Sequence, residues 1–458
     1  MAEAAMAGPP SVPRATGETG VRKMDQKLTR RNFLGGTGAL SLGAALAACG
    51  FGVGEEQRRQ GGNTATVWDV RVADEQDLMN EIIKSFNASH DNMRVAVQWF
   101  ENDPFKNKLR VSMGAGNPPD IFFGWGGGVL GSQVEAGKVY ALGKDVDTSK
   151  YLTSVMEPVT IDGTVYGIPN TGTQPVVFYY NKPIFEDNGL EPPRTWSETL
   201  DAVRKLRRAG VDPISLAGKN QWPGLMYLEY FVDRLGGPEV FNRVVQQEAG
   251  AYSDPAFLEA NRLIQELARL KAFPAGFTSL NYDTEQSTQL IYNNKAAMHL
   301  MGSWDFARFS SNAEEFLDAG NLGWFTFPEV EGGKGDPANV VGNPTSYFSI
   351  SEASKTKNVA ATFLSEAMLS DQYLDGLINI GLVPPLNGIE QRLSGTEYSD
   401  WLTFVFNLAK DAPAFTQSWD QALSPEQAQE LLTNLDLVFL LDITPQEFSN
   451  RMNKTIGQ

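Results

Sequence analysis

The side chains of this sequence that can do chemistry are few in kind. It holds one cysteine, Cys49, two histidines, His90 and His299, and 55 Asp/Glu against 38 Lys/Arg in 458 residues. One thiol gives neither a disulfide framework nor a thiolate metal cluster, and two histidines leave no zinc set. No cofactor and no metal are expected. There is no G-x-S-x-G elbow, and carboxylates such as Asp69, Asp305 and Asp420, which a glycosidase would need in pairs, lie in no recognisable catalytic motif. The net charge of −17 argues against nucleic acid and against adhesion to anionic lipid. What remains is tryptophan beside glycine. Trp68-Asp69 closes the apolar stretch from Thr64, and Trp125 closes PPDIFFGW ahead of Gly126-Gly127-Gly128. A tryptophan at the end of a strand, beside a turn where backbone can approach a ligand, offers a wall for a flat apolar face. For each indole, core packing is the competing reading. The turn carries no Lys or Arg for a phosphate and fits neither the P-loop nor the dinucleotide fingerprint.

The elements that must position these residues alternate. TATVWDV from Thr64 reads as a strand, and Glu75 to His90 as a helix with Leu78, Ile82, Ile83 and Phe86 on one face. MRVAVQWF from Met93 alternates as a second strand, Phe105 to Met113 reads as a helix, and PPDIFFGW gives a third strand. Strands separated by helices imply a mostly parallel sheet covered on both faces, with ligands beyond the carboxyl ends of the strands. A composition 42% hydrophobic and 10% aromatic can bury a large core, and the length suggests two domains.

Near the start, LTRRNFLGGTGALSLGAALAACG from Leu28 sets Arg30 and Arg31 before a Gly/Ala-rich apolar run. The run is shorter than the roughly 20 residues of a membrane span, so a signal peptide is expected. Thr29-Arg30-Arg31-Asn32-Phe33-Leu34 resembles a twin-arginine export signal, and Leu46-Ala47-Ala48-Cys49 resembles a lipobox. That resemblance implies that residues 1–48 are removed, that Cys49 is lipidated, and that 49–63 form a flexible tether. The protein would be exported and held at the outer face of the cell membrane by lipid alone.

Tyr166-Gly167-Ile168-Pro169, Phe178-Tyr179-Tyr180-Asn181-Lys182 and Pro193-Arg194-Thr195-Trp196-Ser197-Glu198, in that order, are similar to a signature of the extracellular solute-binding proteins of ABC sugar importers, the group containing maltose-binding protein. NPPDIFF from Asn117, AAMHLMGSW from Ala296, WFTFPEVEGG from Trp324, VVGNPTSYFSIS from Val340 and VPPLNG from Val383 agree in order. The resemblance implies an α/β, two-lobed periplasmic-binding-protein-like fold with a hinge between lobes. Lobe 1 would be 64–174 plus 328–382, and lobe 2 would be 175–327 plus 383–458. It implies a monomeric binding protein, not an enzyme, that passes a neutral oligosaccharide to the transmembrane subunits of an ABC permease.

Sugar sites combine aromatic platforms with polar side chains. Under the resemblance Trp304 faces the cleft, and Trp68 and Trp125 gain weight as ligand walls. Trp222 and Trp419 lie in polar loops, where cleft contact and lobe packing both stay open. Gly126, Asp69, Asn170, Thr171, Asn343, Thr345, Asp420 and Gln421 complete the expected site, with a turn or cap as the alternative for each polar one. Trp196 is excluded, because Thr195 and Glu198 have capping-box spacing around it. The loops GWGGG and SWDQAL lean towards members associated with xylo-oligosaccharides. An exported glycoside hydrolase, or a sugar sensor without a transport role, remain the alternatives.

Overall fold

The structure is a computed structural model in which residues 63–457 are described, apart from 72–73 and 144–145. The expected signal segment, the expected lipidation site Cys49 and the expected tether up to residue 62 lie outside the described residues. The chain opens with β1 (Thr64–Asp69), a helix over Asp74–Ser89, β2 (Arg94–Trp99), a helix over Asn102–Gly114 and β3 (Ile121–Gly124). This is the order the periodicities predict. Every second residue of β1 is buried, as its TATVWD pattern dictates. The first helix buries Leu78, Ile82, Ile83 and Phe86 on its inner face. Strand β1 lies between β2 and β3 and runs parallel to both, so three carboxyl ends share one edge.

A hairpin of β4 (Thr160–Ile161) and β5 (Thr164–Val165) and the short β6 (Ile168–Pro169) precede β7 (Gln174–Asn181). Then come β8 (Asp212–Ser215), β9 (Ala296–Gly302), β10 (Leu322–Phe325), β11 (Val340–Asn343), β12 (Tyr347–Ile350) and β13 (Phe415–Gln417). One sheet has the order β2-β1-β3-β12-β6, the other β13-β11-β7-β9-β8 with β10 also on β7. Strand β7 is buried along nearly its whole length, which explains its continuous apolar run. Thr195 and Glu198 form the expected capping box, and Trp196 is core, stacked on Phe327 at 5.6 Å.

The chain passes between the sheets where Asn170–Gln174 runs beside Asn343–Ser346. Thr345 donates its hydroxyl to the carbonyls of Thr171 and Gly172, and Asn170 donates its N–H to Ser346. Thr173 donates to the Val383 carbonyl, adding a third strand of chain to the crossing. Two sequence boundaries need correction. The second sheet keeps β11, which pairs with Gln174 and Pro175, so the return to the first lobe lies at Pro344–Ser346 and not at 328. Residues after 383 also stay with the first lobe for longer: Leu152 donates to the Pro385 carbonyl, Asn387 donates to Lys150, and Arg392 pairs with Asp371 and Asp375. The second lobe resumes by the helix Ser399–Asp411, whose Trp401 packs on Tyr179 and Phe306.

Among the described residues no helix is long and apolar enough to cross a membrane.

Candidate functional site

A cavity of about 300 Å³ lies between the two sheets, at the carboxyl ends of the parallel strands. Its first-lobe wall includes Glu75, Trp99, Phe100 and Trp125; Trp222, Tyr282 and Trp304 face them from the second lobe. The aromatic cluster of the second lobe is built on one buried carboxylate. Asp305 ends the short helical turn Ser303–Asp305 that follows β9, has no exposed surface, and accepts from Tyr282 Oη at 3.0 Å and from Thr288 Oγ1 at 3.0 Å. His299 and Arg308 lie 3.4 and 3.7 Å from it. Tyr282 Oη in turn accepts from Trp304 Nε1 at 2.7 Å, and Arg308 lies 4.0 Å over the Tyr282 ring. Trp222 meets Tyr282 edge-on at 4.8 Å. The two indoles are thereby held with ring centroids 6.2 Å apart and some of each face open to the cavity.

The first-lobe wall is held from the crossing. Arg71, just past β1, donates to Asp69 at 2.9 Å and to Tyr373 Oη at 2.7 Å. Arg71 and Tyr373 both donate to the Asn170 carbonyl. Glu75 accepts from the Thr171 hydroxyl at 3.3 Å, and burial pushes its carboxyl above the usual range while Arg71 opposes the rise.

Three contacts close the mouth. Lys106 of the first lobe lies 3.3 Å from Asp420 and 4.9 Å above the Trp125 ring. Gln417 donates to the Trp125 carbonyl at 2.7 Å, and Asn220 donates to Asp103 at 2.9 Å. Here the glycine turn finds its reason. A Cβ on Gly127 would sit 2.5 Å from Gln417 Oε1, and one on Gly128 2.5 Å from the Ala422 carbonyl, so only bare backbone lets the lobes meet there.

The structure puts Trp125, Thr171, Trp222, Trp304, Asn343, Asp420 and Gln421 on the cavity wall. Six other expected residues are elsewhere. Trp68 pairs in register with Gln98, on the opposite sheet face from Asp69 and Trp99, and packs on Phe100 at 5.1 Å. Asp69 is fully buried and spent on Arg71. Gly126 turns against Pro158, whose carbonyl a Cβ would meet at 2.7 Å. Asn170 and Thr345 are buried parts of the crossing. Trp419 lies flat on Phe241, centroids 4.2 Å apart, and is 1% exposed: it is core.

Trp99 was within reach of the sequence, since it ends the second strand just as Trp125 ends the third. Tyr282 was not, because Asp305 gathers it from a segment 23 residues earlier, and Arg308, three residues after Asp305, gains its role only from the Tyr282 ring.

Residues 72–373 match the model of the bacterial extracellular solute-binding proteins. An uncharacterized ABC transporter extracellular-binding protein of Pyrococcus horikoshii is 24% identical over 233 residues, 50% of this chain and 54% of that protein. The sn-glycerol-3-phosphate-binding periplasmic protein UgpB of Brucella abortus is 26% identical over 50% of this chain and 55% of its own length. The chain thus spans about half the length of the curated relatives it matches. A structure solved in connection with xylan utilization by the thermophilic bacterium Caldanaerobius polysaccharolyticus superposes with a TM-score of 0.77 at 29% identity, covering 86% of this chain and all of that one. A chitin oligosaccharide binding protein shares the fold, with a TM-score of 0.74 at 23% identity over 85% of this chain and 98% of that one.

Proposed function

The chain belongs to the bacterial extracellular solute-binding proteins, and we propose that it is the substrate-binding lipoprotein of an ABC importer, capturing a neutral oligosaccharide between its lobes. One observation carries this reading: Trp99, Trp125, Trp222 and Trp304 wall a cavity whose three lining cations are already engaged. Arg71 is held by Asp69, Lys106 by Asp420, and Arg308 by Asp305 and the Tyr282 carbonyl. Indole faces suit the C–H faces of sugar rings, and engaged cations disfavour a phosphosugar. Walls on both lobes suit more than one ring, and a bound sugar touching both would favour the closed arrangement.

The lean is to a xylo-oligosaccharide, supported by the likeness to the protein connected with xylan utilization. Hydrolysis is disfavoured because Asp69 and Asp305 are fully buried and bonded, and Asp420 is bound to Lys106 and Gln421. Export and lipidation at Cys49 are part of the same proposal. Replacing Cys49 by Ala should release the protein from the membrane fraction.

The test is thermal unfolding of the chain from Gly50 onward with xylo-, chito-, cello- and malto-oligosaccharides, with reducing-sugar release followed in the same samples. A midpoint that rises with one intact sugar supports the reading and names the ligand. Product release would replace it with a hydrolase, and no shift with any sugar would remove the carbohydrate assignment.

A further inference from the structure

Glu229 lies within the helix Trp222–Gly236, whose first residue is a cavity wall, and is 1% exposed. Its Oε1 accepts the Trp419 N–H at 2.7 Å and the Ser418 hydroxyl at 2.9 Å. Its Oε2 is buried without a partner. The other side of the same short segment is the cavity, lined by Ser418, Asp420 and Gln421. Asp420 accepts from Gln421, lies 3.0 Å from the Ser418 hydroxyl oxygen, and reaches Lys106 across the mouth. Below the segment, Trp419 is stacked on Phe241 and tilted against Phe257.

We propose that Glu229 is a positioning residue of the sugar site: it holds Ser418–Gln421 from beneath, aims Asp420 at Lys106, and makes ligand affinity depend on its own carboxyl. The inference rests on the sugar-binding reading above. It follows from what sits around the carboxyl. Asp420 is the charged group facing it from the segment, and Tyr230 and Asp233 share its helix. The neighbouring helices Pro238–Val245 and Pro255–Arg269 set the rings of Phe241 and Phe257 against Trp419, whose N–H the carboxyl holds. Burial pushes the Glu229 carboxyl up to about 8, Asp420 adds to the rise, and the Trp419 N–H and Ser418 hydroxyl only partly oppose it. The neutral carboxyl therefore accepts its two bonds at little cost. Ionised, it sets a second negative charge beside Asp420 in a dry site, with one oxygen unbonded. The segment must then shift, and Asp420 moves with it.

The sign follows from the raised value. The neutral carboxyl belongs to the binding form, so Glu229 itself leaves affinity unchanged below about pH 8 and lowers it above that value by up to about tenfold per pH unit. The experiment titrates xylotriose into the whole folded protein by calorimetry from about pH 6 to about pH 10, with chitotriose and maltotriose alongside. Glu229→Gln keeps an uncharged acceptor; it should bind within about threefold of wild type at neutral pH and lose the alkaline fall. Glu229→Ala leaves the Trp419 N–H without its acceptor and should bind about tenfold or more weakly. Should Glu229→Ala fail to fold by circular dichroism, the pH profile of Glu229→Gln decides. A Glu229→Gln profile that falls like wild type, or wild-type affinity in Glu229→Ala, would overturn the assignment while leaving the sugar site standing. A wild type that binds none of the three sugars would overturn both.

Discussion

The side-chain amide of Asn220, in the second lobe, donates to Asp103 of the first at 2.9 Å. The same nitrogen donates to Asp283 at 3.2 Å, and Asn220 Oδ1 accepts the Tyr282 N–H at 2.7 Å. One amide thus joins the two lips of the cleft and ties them to the ring that carries Trp304. Asn220→Ala should fold normally and bind sugar about tenfold more weakly, the loss of about 1.5 kcal/mol expected for a hydrogen bond to a carboxylate. The change belongs in the dissociation rate, which stopped-flow tryptophan fluorescence reads. An unaltered rate would remove Asn220 as a latch.

Asp283 makes closure sensitive to pH. Burial pushes its carboxyl above the usual range, Asp103 adds to the rise, and Arg308 opposes it. Asp103 comes from the other lobe, so part of the rise belongs to the closed form, which then holds its proton more tightly than the open form. Sugar affinity should be highest at low pH and decline as the pH rises through the range just above that of an ordinary carboxylate. Asp283→Asn should flatten the profile. A wild-type affinity constant across that range would contradict this account.

Trp304 depends on the absence of a side chain two residues earlier. A Cβ on Gly302 would come within 1.8 Å of its six-membered ring, so the indole folds back over bare backbone. Trp304→Ala should abolish sugar binding at an unchanged fold. Gly302→Ala should displace the indole and weaken binding at least tenfold, an effect of ligand geometry worth about 1.4 kcal/mol or more. Calorimetry and near-ultraviolet circular dichroism check the pair.

Trp419 should behave as core. Trp419→Phe keeps an aromatic ring on Phe241 and opens a small void, costing about 1–3 kcal/mol of stability. Chemical unfolding should record that loss, with sugar affinity within about threefold of wild type. A loss of affinity without loss of stability would return Trp419 to the ligand.

How much of this was legible in the sequence varies by residue. The strands and helices from Thr64 to Gly124 follow from apolar spacing, and the capping box at Thr195 from local chemistry. Both are set within a few residues of chain. The position of β11 is set by the pairing of Gly342 with Pro175 and of Asn343 with Gln174, far earlier in the chain, and no local pattern announces it. The glycine turn after Trp125 was conspicuous, yet its role is contact with the other lobe, visible only once Ala422 lies above it. Among the tryptophans, local polarity misled at position 419: the loop around it is polar while its own side chain points at Phe241. Trp68 ends its strand as Trp125 does, yet its indole packs on Phe100, and the pairing of β1 with β2 that brings the two rings together has no local signature.

The most direct test of an aromatic-walled sugar site between two lobes is calorimetric titration of xylotriose into the wild type and Trp304→Ala, side by side at neutral pH. The account predicts saturable one-to-one binding by the wild type, with the sugar recovered intact, and none by the variant. Equal binding by both proteins, or cleavage of the sugar by the wild type, would contradict it.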